Sequence, residues 1–246
     1  MNKRIAFFLV AVALIGVGAG IIIGTRLAAR GPGQSPAAAS QPPLSHPVRQ
    51  KKIFRESALA HKLLDGLRGL EIGGSAHNPF GLKTLNVDYT DDYTTVFKKQ
   101  EIELAGECLK VDVVASGDDL PFKDNTVDFV ISSHVIEHFY DPVKTILEWL
   151  RVVKPGGYVF IIAPHRDRIG EMAGPRTLPA EIIDRYEHPK PPKVDDHRHY
   201  SCWKTQDFMG FCRHYGWKIV AVQDVDDKVG NGFTVVIQKA GGMTIR

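Results

Sequence analysis

With 246 residues, 43% of them apolar and 24% charged, the chain has the composition of an ordinary globular protein. Setting aside an N-terminal tail of about 50 residues leaves enough for one α/β domain with a real core. A net charge of +3 gives no reason to expect nucleic acid as a partner. Three sparse cysteines, Cys108, Cys202 and Cys212, exclude a disulfide framework, and no CxxC pair points to zinc.

Ile5 to Gly24 carries no charge and no strong polar group. A helix of that length spans about 30 Å, the hydrocarbon core of a bilayer. A cleaved signal peptide competes with this reading, but its apolar region is shorter, and Ile21-Ile22-Ile23 fills the place of the small residues that cleavage needs. Residues 1–30 are therefore expected to be a single-pass transmembrane anchor. Basic residues flank it on both sides (Lys3, Arg4, Arg26, Arg30), so charge does not orient it. Gly16, Gly20 and Gly24 form overlapping GxxxG patterns, a spacing that permits weak self-association and is also common in any membrane helix. Residues 31–50 are rich in Pro, Ala and Ser, with prolines at 32, 36, 42, 43 and 47, and read as a tether.

From residue 51 to about 240 the pattern alternates. Phe54 to Leu67 has helical periodicity and meets Gly69. Strands are expected at Leu70–Ile72, Thr84–Val87, Leu109–Val114, Val127–Ser132 and Tyr158–Ala163. Between the last two, Asp141 caps a helix with Pro142 in its first turn, an apolar stripe of Ile146, Leu147, Leu150, Val152 and Val153, and an end at Pro155-Gly156-Gly157. A further helix is expected from Thr205 to about Tyr215. Two strands follow, Lys218–Val225 and Phe233–Gln238, joined by the short link Asp226–Gly232, which makes them an antiparallel hairpin. The fold expected is α/β: a Rossmann-like doubly wound sheet, mostly parallel, with an antiparallel C-terminal hairpin and helices on both faces.

The first strand, Leu70-Glu71-Ile72, runs directly into Gly73-Gly74-Ser75, a tight turn where backbone can approach a ligand. Seventeen residues after Glu71, Asp88 ends the second strand, where an acid can accept from both ribose hydroxyls of a nucleoside. After the third strand the chain reads Asp119-Leu120-Pro121-Phe122, then Asp128 opening the fourth strand, His134 and Glu137-His138 after it, Arg151, and Lys154-Pro155-Gly156-Gly157 before the fifth strand.

In these blocks, from about Leu70 to Pro164, the chain closely resembles the class I S-adenosylmethionine (SAM) dependent methyltransferases, in particular the UbiE-like group. The resemblance implies SAM as cofactor and methyl transfer as the activity. By position it places Glu71, Gly73, Gly74 and Ser75 at the methionine end of SAM, Asp88 at the ribose, Asp118, Asp119 and Leu120 at the adenine, and His134 beside the methyl-donor pocket. Two departures stand out. Ser75 and His77 replace the second and third glycines of the family turn, and Ser116 stands where many relatives carry an acid. They sustain an alternative reading, a catalytically degenerate methyltransferase fold tethered to the membrane as a scaffold or binding module. A dinucleotide-dependent dehydrogenase shares the glycine turn and the ribose acid but not the later blocks.

Methyl transfer from a sulfonium is an in-line displacement that needs positioning and exclusion of water, with a base only for a nucleophile that must lose a proton. His134, His138 and His165 lie at strand ends where ligands bind in such folds, and His134 and His165 are the candidate catalytic residues. Arg166 to Trp203 reads as a lid-like insertion with one short helix near Pro179–Tyr186. Its polar residues His188, Asp195, Asp196, His197 and His199 leave a metal site, a substrate contact and a solvated loop open, and no metal is expected. SAM is held in the cytosol, which places the catalytic domain there. The acceptor is expected to be a small molecule or a membrane-associated group.

Overall fold

The computed structural model describes residues 55–76, 80–192 and 199–241. The expected anchor (1–30), the tether (31–50), His77, and Asp195, Asp196 and His197 lie outside the described residues. Among the described residues no helix is long and apolar enough to cross a membrane.

Helix α1 (Ala58–Leu64) starts where the Ser57 hydroxyl accepts from the Ala60 N–H at 3.1 Å. It is shorter than the periodicity suggests. Gly66, with φ of +80°, turns the chain out of the helix, and Gly69, expected as the stop, lies inside strand β1 (Arg68–Ile72). A Cβ at Gly69 would sit 2.5 Å from the Phe129 ring, so this glycine serves close strand packing.

Strands β2 (Lys83–Asp88), β3 (Val113–Val114), β4 (Val127–Ser133) and β5 (Val153–Pro164) follow, with helix α2 (Val96–Ala105) between β2 and β3 and helix α3 (Pro142–Val152) between β4 and β5. Asp141 Oδ1 accepts from the Lys144 N–H at 3.0 Å, with Pro142 in the first turn as expected. Helix α4 (Pro179–Glu187), helix α5 (Thr205–His214), strand β6 (Lys218–Gln223) and strand β7 (Gly232–Gln238) complete the domain. The third strand is shorter than expected. The fifth begins earlier, at Val153, so the Pro155-Gly156-Gly157 block lies in the strand and α3 stops before it.

The sheet order is β3-β2-β1-β4-β5-β7-β6. The first five strands are parallel, and β7 inserts antiparallel between β5 and β6. One face buries Leu70, Val130, Val159, Ile161 and Val235 against α3, α4 and α5; the other buries Phe129, Ile131, Phe160 and Ile162 against Ala60 and Leu64 of α1 and against Phe80. Strand order reverses between β1 and β4, and in open parallel sheets ligands bind outside the carboxyl ends of the strands at such a point.

Candidate functional site

Three strand ends and the loop after β3 meet at that edge. After β1, Gly73 adopts φ of +64° and its N–H donates to the Val87 carbonyl at 2.8 Å. A Cβ at Gly73 would lie 2.7 Å from Val135 Cγ2, and one at Gly74 would lie 2.4 Å from Asn86 Oδ1, so the turn is packed against β2 on one side and the segment after β4 on the other. Glu71, beneath the turn, is 8% exposed. Burial pushes its carboxyl up to about 7, against the pull of Lys228 and a hydrogen bond from Thr84. Ser75 is buried in the same turn.

Asp88 ends β2 as expected, but it is already held. Lys98 Nζ of α2 lies 2.9 Å from Asp88 Oδ2 and 3.3 Å from Glu101 Oε2, and Lys98 is only 3% exposed. Glu101 Oε1 in turn accepts from the N–H groups of Ala76 and Leu109, so α2 fixes the loop that leaves the glycine turn. A carboxylate has about four lone-pair sites, and the ion pair leaves Asp88 acceptor capacity. Sequence reasoning missed both Lys98 and Glu101: each looks like an ordinary charge on a polar helix.

The loop after β3 is built from α3. Glu148 accepts from the Leu120 N–H at 2.7 Å, Arg151 donates to the Leu120 and Phe122 carbonyls, and Trp149 Nε1 donates to Gly117 O at 2.8 Å. Asp118 is bonded by Lys144 Nζ at 2.8 Å and by the Ser116 hydroxyl. Burial opposes its ionisation, but those two hydrogen bonds hold it below the usual carboxylate range. Leu120 is buried and Asp119 exposed.

After β4, His134 takes φ of +56°, a left-handed conformation uncommon for a residue with a Cβ, with its N–H on the Ile162 carbonyl at 2.9 Å. A turn of 3₁₀ helix (Ile136–His138) then sets Glu137 and His138 side by side. Glu137 is 1% exposed, and burial pushes its carboxyl up to about 8. His199 comes back from the far end of the 166–203 segment to meet them; burial first, then the neighbouring His138 and His134, push it down to about 4. His165, after β5, is turned to another task. Its Nδ1 accepts from the Asp167 N–H at 3.2 Å, capping a short turn, and its ring packs edge-on to Phe233. The lone pair a base would use is thus engaged. His188 pairs with Asp184 at 3.0 Å on the surface of α4, apart from the His199 cluster.

The segment 166–203 is sewn to the core at both ends. Arg166 donates to Trp203 O, Tyr200 donates to Glu137 O at 2.8 Å, and Cys202 exchanges backbone and side-chain bonds with Thr177. The helix expected near Pro179–Tyr186 is α4, and its buried Ile182 joins the main core.

Residues 73–161 match the family model described as a methyltransferase domain. The chain has the class I methyltransferase fold. An uncharacterized protein of Methanocaldococcus jannaschii is 37% identical over 109 residues, covering 43% of this chain and 49% of that protein. An uncharacterized methyltransferase of Mycobacterium tuberculosis is 36% identical over 85 residues, covering 31% of this chain and 34% of its own length. The chain thus spans about half or less of the curated relatives it matches. Among solved structures, a SAM-dependent methyltransferase from Methanosarcina mazei aligns with 15% identity and a TM-score of 0.46 over 74% of this chain and 97% of that one. One from Aquifex aeolicus aligns with 19% identity and a TM-score of 0.41 over 74% and 94%. The methyltransferase domain's own strand order and its β7 insertion carry the fold assignment independently.

Proposed function

We propose that this domain is a SAM-dependent methyltransferase acting on an acceptor near a membrane. The observation that carries the reading is the alignment of three acids, Glu71, Asp88 and Asp118, along the carboxyl ends of the adjacent strands β1 and β2 and the loop after β3, with the Gly73-Gly74 turn between the first two. The residues present fit the cofactor: the glycine turn brings side-chain-free backbone to the strand edge, and Asp88 retains acceptor capacity. Glu71 and the turn would hold the methionine end, Asp88 the ribose, and residues 117–120 the adenine. SAM supplies an electrophilic methyl group at its sulfonium. The chain's part is to orient an acceptor against that edge and keep water out, through residues 134–138 and 199–203.

Isothermal titration of SAM and S-adenosylhomocysteine into the full chain in detergent is the direct test. Micromolar binding is expected, weakened about 10- to 100-fold by Asp88→Asn, the range for losing hydrogen bonds to a charged group. A folded protein with no measurable binding would favour the degenerate scaffold, as the Ser75/His77 departure and the Lys98–Asp88 ion pair would then explain.

The apolar run Ile5–Gly24 supports membrane tethering and with it a lipid, quinone, envelope precursor or membrane-bound protein as acceptor. The catalytic domain is placed on the cytoplasmic side, where SAM is held. Full-length protein should stay in the membrane pellet through alkaline carbonate washing, and a variant lacking residues 1–24 should not. Release of the full chain by carbonate would overturn the anchor.

A further inference from the structure

Beyond the cofactor edge, the cluster Glu137–His138–His199 has a composition that methyl transfer does not require. Glu137 is almost wholly buried, yet apart from its own backbone N–H its carboxylate has no hydrogen-bond partner among the described residues. Buried polar groups in native proteins are bonded with few exceptions, and each exception calls for a ligand, water or ion. Two imidazole nitrogens face it, His138 Nε2 at 3.9 Å and His199 Nε2 at 4.0 Å from Glu137 Oε1, both beyond hydrogen-bond length. The His138 and His199 rings stand edge to face with centroids 4.8 Å apart, and one ligand atom from each of the three residues lies within 4.8 Å of the others. His199 Nδ1 is also buried without a hydrogen-bond partner among the described residues.

We propose that Glu137, His138 and His199 bind a divalent first-row transition metal ion. Two donors about 2.1 Å from one tetrahedral ion stand about 3.4 Å apart, so the carboxylate–imidazole gaps must close by roughly half an ångström and the widest gap by at most about 1.4 Å. Two imidazoles and one carboxylate select zinc, manganese, iron or cobalt over magnesium and calcium, which take oxygen ligands. Three protein ligands leave coordination positions open. The backbone holds the cage by two means: the left-handed turn at His134 aims the 136–138 segment, and the Tyr200 N–H on Glu137 O brings His199 alongside.

The site also has an address. Phe97 packs edge-on to the His138 ring at 5.5 Å, and the next residue, Lys98, holds Asp88. An acceptor oxygen on the ion would lie on the same sheet edge as the expected methyl donor. This step rests on the methyltransferase reading; the metal site itself does not. The acceptor class that uses such an ion is a hydroxyl, whose proton an ion makes easier to remove.

The test is to add Co²⁺ alone to the untagged, EDTA-stripped full chain in detergent, with no SAM present. One equivalent is expected to bind, with d–d absorption of a low-coordinate ion and a rise in Tm. His138→Ala and His199→Ala should each weaken binding by about 100-fold while matching the wild-type Tm in EDTA, which separates ligand loss from misfolding. Glu137→Gln, checked for fold by circular dichroism, should do the same. No stoichiometric binding, or binding unchanged in both histidine variants, would overturn the proposal. SAM titration of the same preparations reports on the cofactor site separately, so either reading can fail alone.

Discussion

Replacing Lys98 with methionine is expected to destabilise the domain by about 3–5 kcal/mol, the cost of removing one partner from a buried ion pair. Met keeps the bulk of the side chain and removes the charge. The side chains of Asp88 and Glu101 are 11% and 4% exposed, so water cannot replace the ammonium. Burial disfavours a charged Lys98, but bonds to Asp88 and charges on Asp88 and Glu101 more than offset it and raise its pKa. Without it, two carboxylates face each other in a dry site with no countercharge between them. Like charges repel most when both are ionised, so the defect should be larger at pH 8 than at pH 5. Urea denaturation at the two pH values reads both effects. A loss under about 1 kcal/mol, the worth of an exposed pair, would mean that the cluster is solvated.

The opposite sign is expected at Glu71. Its folded carboxyl, pushed up to about 7 from 4.5, takes up a proton more readily than the unfolded one. Its contribution is fully present below pH 4.5 and is lost as pH rises through 7. At about 1.4 kcal/mol per unit, the domain carries a penalty of about 3 kcal/mol at pH 8, an upper bound set by complete burial. Glu71→Gln should therefore stabilise the protein at pH 8, leave it little changed at pH 4.5, and flatten the stability profile between. In the proposed role at the methionine end of SAM, the same substitution should weaken cofactor binding. Denaturation midpoints from pH 4.5 to 8 test the first part; a profile parallel to wild type would show that Lys228 compensates the ionised carboxylate in full.

The order of strands was legible because each parallel strand is a short apolar run bounded by glycine or a capped helix. The Asp141–Pro142 start and the 226–232 link named their elements outright. Ends were less legible where a long-range contact decides them: Gly69 reads as a helix stop until Phe129 is packed on it, and Leu109, expected to open the third strand, donates to Glu101 of α2. The glycine turn, Asp88 and His134 could be read as site residues because the spacing is local. The partners could not. Lys98 is one polar residue among several on α2, and its pairing with Asp88 depends on how that helix docks. Glu137 was visible in the sequence beside His138, but its burial was not, and His199 joins it from a distant stretch that reads as a solvated loop. Sequence spacing grouped His199 with His188, whereas the fold separates them and seats His199 against the strand edge.

The position of β7 bears on how the chain must be made. The last of the described strands in chain order is not at the margin but between β5 and β6, with six of its seven residues buried. Until Gly232–Gln238 has emerged, β5 lacks a neighbour on one side and β6 has none to pair with. A chain still lacking Gly232–Gln238 therefore has an open edge at β5 and an unpaired β6, the state in which chaperone protection matters most.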